Sequence, residues 1–250
     1  MSKYAALVAL FILTLSILVP GQHSNLSAAG NNASPKAKAI LNNPEAEKAL
    51  ARLGELSLAA VRERLTKLRQ VPYLPGPVLI NKIIEAQHLP VATGERIDRL
   101  KAALKPVLAY HQREQMPIIV VRAEQPKATL RERAAIVITT KLMLITSDAE
   151  IRGIIAHELA HEYVWEERQK AQLANDESAL RESELFCDAV AVTTLKEIGD
   201  DPVSYAKALE RLTYIGMHVG SATRSESRTH PSLDVRLKLI KFLCQRFGSD

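Results

Sequence analysis

The sequence predicts an α+β fold, mainly helical, with a small β-sheet set beside helices that carry clustered histidines and carboxylates. Three observations predict it. Apolar residues recur at helical spacing over most of the chain, and β-branched runs are confined to residues 117–145. The helix that follows them opens on Ser147-Asp148-Ala149-Glu150, a capping box, and carries His157-Glu158-Leu159-Ala160-His161.

The chain has 250 residues, 47% hydrophobic and 24% charged, which is ordinary globular composition. The net charge is +5. Basic and acidic residues alternate, as in Arg62-Glu63-Arg64 and Arg131-Glu132-Arg133. There is no basic patch studded with aromatics, so nucleic acid is excluded as a partner.

Taken in order, Lys3 precedes an apolar run from Ala5 to Val19, then Pro20-Gly21 and small polar residues. This is the pattern of a secretory signal over residues 1–29, with Ser27-Ala28-Ala29 as a cleavage site, or of an uncleaved anchor. Either form places the protein in the periplasm or outside the cell, free or held at the membrane. Residues 30–70 read as a flexible leader followed by a helical extension. Leu50, Leu53, Leu56, Ala60, Leu65 and Leu68 form one apolar stripe from about Pro44 to Gln70. Val71-Pro72-Tyr73-Leu74-Pro75-Gly76-Pro77 then breaks regular structure and marks a boundary with a main domain over 71–250.

In that domain, helices are expected over 78–87 and from Thr93, as N-cap, to Arg113, kinked at Pro106. Strands are expected over 117–122, 135–140 and 142–145. The capped helix should run to about Gln169. A second begins near Ser178 and ends at Ile198, and a third starts at Pro202 with Asp201 as its cap. A polar loop over 220–229 leads to a final helix, 232–247. Cys187 and Cys244 could pair in an oxidising compartment.

On a helix, His157 and His161 are four residues apart and share one face, so both imidazoles can reach one metal ion. Glu158, beside them, can hold and deprotonate a metal-bound water. A catalytic zinc needs a third protein ligand. Glu184 is that candidate. Asp188 lies one turn further on and can accept the free ring N–H of a ligating histidine. Both sit in an apolar stretch, where carboxylates need partners. Glu182 is a weaker competitor.

These blocks, followed by Thr229-His230-Pro231-Ser232 and Arg236, resemble the CAAX-prenyl-protease-like and HtpX-like zinc metalloendopeptidases, in their soluble or periplasmic branch. The similarity runs over roughly residues 70–247. It departs at Ala160 and Cys187, where glycine and alanine are common, and in lacking an Asn-Ala motif within 128–135. The resemblance implies a zincin domain of the gluzincin type with one Zn2+ per chain. It also implies hydrolysis of protein or peptide substrates through zinc-activated water. Glu158 would be the base and His230 a catalytic group that stabilises the oxyanion or closes the open zinc position. Arg236 would act on substrate or oxyanion. Envelope protein quality control, with a membrane-surface or envelope protein partner, is the expected setting. The alternative is a zinc-binding chaperone or assembly factor with little or no proteolysis.

Overall fold

The computed structural model describes residues 42–69, 74–219 and 226–248. The expected signal over residues 1–29 and the flexible leader as far as residue 41 lie outside the described residues, as do residues 70–73 and most of the polar loop. Among the described residues no helix is long and apolar enough to cross a membrane.

The first half holds α1 (Pro44–Leu53), α2 (Leu58–Leu68), α3 (Pro77–Gln87), α4 (Glu95–Tyr110), β1 (Ile118–Val121), β2 (Ala128–Arg131) and β3 (Ala135–Thr139). The second half is helical: α5 (Thr140–Ile145), α6 (Asp148–Ala160), a 3-10 turn at His161–Val164, and α7 (Trp165–Ala174). It continues with α8 (Glu177–Glu197), α9 (Val203–Val219), α10 (Glu226–Thr229) and α11 (Leu233–Phe247).

The mainly helical architecture with a small sheet is the predicted one, and several boundaries differ. The helix expected from Pro44 to Gln70 is two. Gly54 takes a φ of 81°, in the left-handed region that a side chain disfavours, and Ser57 starts a new helix by accepting from the Ala60 amide. α4 is capped by Gly94 rather than Thr93 and continues through Pro106 to Tyr110. The capped helix stops at Ala160, short of the expected Gln169, and the chain turns through a 3-10 segment before α7. Both cysteines are free thiols rather than a pair.

The sheet differs most. Residues 142–145 form part of α5 rather than a strand: Thr139 accepts from the Leu142 amide as an N-cap, and Leu and Met are good helix formers. The third strand is β2, which the sequence analysis does not anticipate. It reaches β3 through a turn in which the Ala134 amide donates to the Arg131 carbonyl at 2.7 Å. Both central residues, Glu132 and Arg133, have positive φ (51° and 54°), the geometry of a primed hairpin turn built without Gly or Asn.

The strand order is β1-β3-β2, with β1 parallel and β2 antiparallel to β3. The outer side of β1 is closed by the 90–92 segment, where Ala92 and Arg122 amides bond to Val120 and Pro90 carbonyls. β2 is the other edge. Side chains alternate with the pleat: Val120, Ile136 and Ile138 enter the main core, while Ile119, Val121 and Val137 meet Ile83 of α3.

The main core is centred on α6 and α8, which pack on each other more extensively than any other pair of described elements. Ile155, Leu159, Leu185 and Val192 are fully or almost fully buried there. α1 packs on α8 as well, with Ala46, Ala49, Leu50 and Leu53 all buried, so the helical extension shares this core. On the other side of α6, Gly153 permits a close crossing by α9. A Cβ there would lie 2.6 Å from Cβ of Tyr205.

Candidate active site

His157 and His161 occupy the last turn of α6 and the residue that follows it. The capping box is complete: the Glu150 amide donates to Ser147 Oγ, and the Ser147 amide donates to Glu150 Oε2. It sets where the helix starts, and so which face carries the histidines. Their rings lie 5.0 Å apart, nearly perpendicular. α8 faces them with Glu184 and Asp188. Glu184 Oε2 is 3.3 Å from His157 Nε2, and Glu184 Oε1 is 3.8 Å from His161 Nε2. Asp188 Oδ1 lies 2.9 Å from His157 Nδ1, so that nitrogen carries the hydrogen and Nε2 keeps its lone pair.

Among the described residues, His157, His161 and Glu158 form the group whose ligand atoms all lie within 4.8 Å of one another; Glu184 is not part of it and turns a different oxygen toward each imidazole. Two facts separate the role of Glu158 from that of Glu184. The Leu130 amide of β2 donates to Glu158 Oε2 at 3.0 Å, which aims this carboxylate toward the sheet edge. Glu184 is 1% exposed, and its Oε2 is buried with no hydrogen-bond partner. A carboxylate oxygen that meets imidazole nitrogens with no donor between them is what a cation completes. The donor set of two imidazoles and one carboxylate suits zinc. The residues present therefore fit that metal.

The charges follow from burial and neighbours. Burial opposes protonation of His157, but Asp188 and Glu184 outweigh it and push its pKa up to about 9, so a metal at Nε2 takes the place of a proton there. His161 has no such carboxylate behind it; burial brings its pKa down to about 3, so it is neutral and able to donate a lone pair. Behind its Nδ1, at 3.3 Å, stands the Cys187 thiol. Burial works against ionisation of Glu184 and Asp188 too, yet the adjacent histidines and, for Asp188, Arg236 hold both below the usual carboxylate range. Glu158 is the exception among these acids: burial pushes it up, the direction that suits a proton acceptor.

The structure brings six of the seven predicted residues into one constellation around the α6–α8 contact, and sets His230 at its rim. Its Nε2 is 3.5 Å from Glu184 Oε2, and its side chain is 40% exposed. Arg236 is placed away from the substrate position expected for it. Its guanidinium donates to both oxygens of Asp188, at 2.7 and 2.6 Å, and to Tyr205 Oη. Glu182, the competing ligand, pairs instead with Arg52.

Sequence reasoning missed Tyr205, Arg168 and Leu130. Tyr205 Oη donates to Asp188 Oδ1 at 2.6 Å and lies 3.0 Å from His157 Nδ1. The available signal was Gly153, one turn before His157, a mid-helix glycine that marks where another element comes close. Arg168 of α7 donates to Glu184 Oε1 at 2.6 Å. A cavity of about 380 Å3 opens over these groups, bounded by Leu130 and Arg131 of β2, by Trp165 and Arg168 of α7, and by Glu158 and His230. The β2 edge of the sheet and the imidazoles of His157 and His161 thus line the same cavity.

Residues 94–175 match the family model of peptidase family M48, a stretch that includes the sheet and His157-Glu158-x-x-His161 but ends before Glu184. No curated protein matches the chain. M48 peptidases are zinc-dependent, and His157, Glu158 and His161 supply a cluster able to hold a metal. Over that stretch the chain is similar to family M48, and the likeness indicates a metallopeptidase, a peptide-bond hydrolase.

Proposed function

We propose that the protein is an exported zinc endopeptidase whose metal is held by His157, His161 and Glu184. The observation that carries this reading is the buried, unpartnered Glu184 Oε2, 3.3 Å from His157 Nε2. A bound zinc would polarise the scissile carbonyl and make its water acidic enough to ionise near neutral pH.

The chain's own groups do the rest. An extended peptide laid along β2 adds to the sheet edge, which carries its carbonyls past Glu158. Glu158, its pKa raised by burial, takes the proton of the attacking water and returns it to the leaving nitrogen. The bond from the Leu130 amide holds Glu158 at the same edge that binds substrate, so base and peptide share one frame. His230, at the rim beside Glu184, donates a hydrogen bond to the developing oxyanion. Asp188 fixes the tautomer of His157, and Arg236 and Tyr205 fix Asp188.

Export rests on the apolar run from Ala5 to Val19 behind Lys3. Protein substrates in the cell envelope, and a role in quality control there, extend that placement. Metal analysis of purified protein should give one zinc per chain. Glu158→Gln should keep the zinc and lower peptide hydrolysis by at least about a hundredfold. A wild type without zinc, or a Glu158→Gln enzyme of normal activity, overturns the reading.

A further inference from the structure

The two oxygens of Glu184 are in unlike circumstances. Oε1 receives the Arg168 guanidinium at 2.6 Å, while Oε2 is buried, has no hydrogen-bond donor, and faces His157 Nε2 at 3.3 Å. A carboxylate beside a divalent cation can bind through one oxygen or through both. With both, Glu184 would fill a coordination position that a hydrolytic zinc keeps for water and substrate.

We propose that Arg168 is a positioning residue: it holds Glu184 Oε1, restricts Glu184 to a one-oxygen donor through Oε2, and keeps the metal site open. The inference rests on the zinc reading above. Three features of the structure support it. The guanidinium approaches from α7, a different helix from either ligand-bearing one, so its hold on Glu184 is independent of the helix that carries the carboxylate. Its side chain is 20% exposed against 1% for Glu184, so the arginine closes the solvent side of that carboxylate. The remaining neighbours of Glu184 are the imidazoles of His157, His161 and His230, whose Nε2 atoms lie 3.3 to 3.8 Å from its oxygens. Arg168 therefore supplies the permanent positive charge beside this carboxylate, which an imidazole supplies only when protonated.

Cobalt(II) can replace zinc and report the geometry, because its visible d–d bands are intense in four-coordinate sites and weaker in five-coordinate ones. The full chain should be loaded with cobalt as wild type, Arg168→Gln and Arg168→Lys. Wild type should give the intense bands. Arg168→Gln, which keeps a donor but not the charge, should lose much of that intensity and bind cobalt about tenfold more weakly in chelator competition. Arg168→Lys should recover most of both, since a point charge can still hold Oε1. A role in folding alone would lower thermal stability without moving the spectrum of the folded fraction. Wild-type bands already weak, or an Arg168→Gln spectrum and affinity equal to wild type, overturn the inference while the zinc site stands. A wild type that takes up no metal overturns the zinc site and this inference together.

Discussion

His157 and His111 are both buried histidines that face α8, at 7% and 3% exposure, and their surroundings differ in kind. Around His111 every ring nitrogen has a hydroxyl: Nδ1 meets Tyr163 Oη at 3.0 Å and Nε2 meets Thr194 Oγ1 at 3.1 Å. With no carboxylate against it, burial and the nearby Arg69 and Arg113 bring its pKa down to about 3. Beside it, Glu162 pairs through Oε2 with Arg113 in a buried ion pair, which leaves Glu162 Oε1 and Arg113 Nη1 without hydrogen-bond partners. Around His157 the balance is reversed. Carboxylates meet both of its nitrogens, and one of their oxygens has no donor. Each place thus holds a buried carboxylate with one arginine-bound oxygen and one unpartnered oxygen, and what marks the site is that the unpartnered oxygen, Glu184 Oε2, faces imidazole nitrogens. A buried carboxylate oxygen that faces imidazole nitrogens calls for a cation, whereas the unpartnered Glu162 Oε1 belongs to a cluster that also holds an unpartnered cationic donor, Arg113 Nη1.

The comparison can be broken from either side. The largest effect is expected at Glu184→Gln, which removes the carboxylate facing the imidazoles: zinc content should fall well below one per chain, and hydrolysis by more than about a hundredfold. The matching change at the other cluster, His111→Gln, should leave zinc content unchanged; loss of zinc there would end the distinction. Asp188→Asn comes next. It should weaken zinc about 10- to 100-fold in chelator competition. It also leaves Arg236 buried without its counter-ion, at about 3–5 kcal/mol of stability by urea unfolding. Gly153→Ala should destabilise by about 1–3 kcal/mol, because the new methyl meets Tyr205. It should weaken zinc as well, since Tyr205 Oη supports Asp188; a variant destabilised with unaltered zinc affinity would remove Tyr205 from the site.

The smallest effect concerns pH. The unfolded chain protonates His111 near its ordinary 6.5, whereas the folded chain resists until about 3. This contribution to stability is therefore complete above pH 6.5 and is lost as pH falls through that window. At pH 5.5 the loss amounts to about 1.4 kcal/mol. Unfolding of His111→Gln, followed from pH 7.5 to 5.5, should show a shallower decline than wild type by that amount. Equal declines would mean that the folded His111 accepts its proton readily.

How much of this could be read in the sequence follows from where each residue gets its partners. His157, Glu158 and His161 are legible because their relation is internal to one helix. Glu184 and Asp188 were legible for the same reason, one turn apart in an apolar stretch. Arg168 and Tyr205 reach the site from two further helices, and no spacing within the chain encodes that meeting. β2 was hidden because four residues, Ala-Thr-Leu-Arg, give no pattern, and its turn uses Glu132 and Arg133 where a glycine signal would be sought. Residues 142–145 were misread because a short apolar run has no period by which to tell strand from helix. Arg236 was recognised but given the wrong neighbour: a basic residue after the His230 block fits a substrate cleft or a buried carboxylate equally well until Asp188 is in place.

The burial of α1 bears on how far the chain can be shortened and stay active. Leu50 and Leu53 are each 1% exposed against α8, Glu45 pairs with Arg181 and Ser178 of that helix, and Asn43 caps α1 through the Ala46 amide. Two buried leucines alone stabilise by roughly 3–6 kcal/mol. A chain shortened only as far as Asn43 keeps all of these contacts. A trim past that point would strip the back of the helix that presents Glu184, and would switch the enzyme off without touching a single catalytic group.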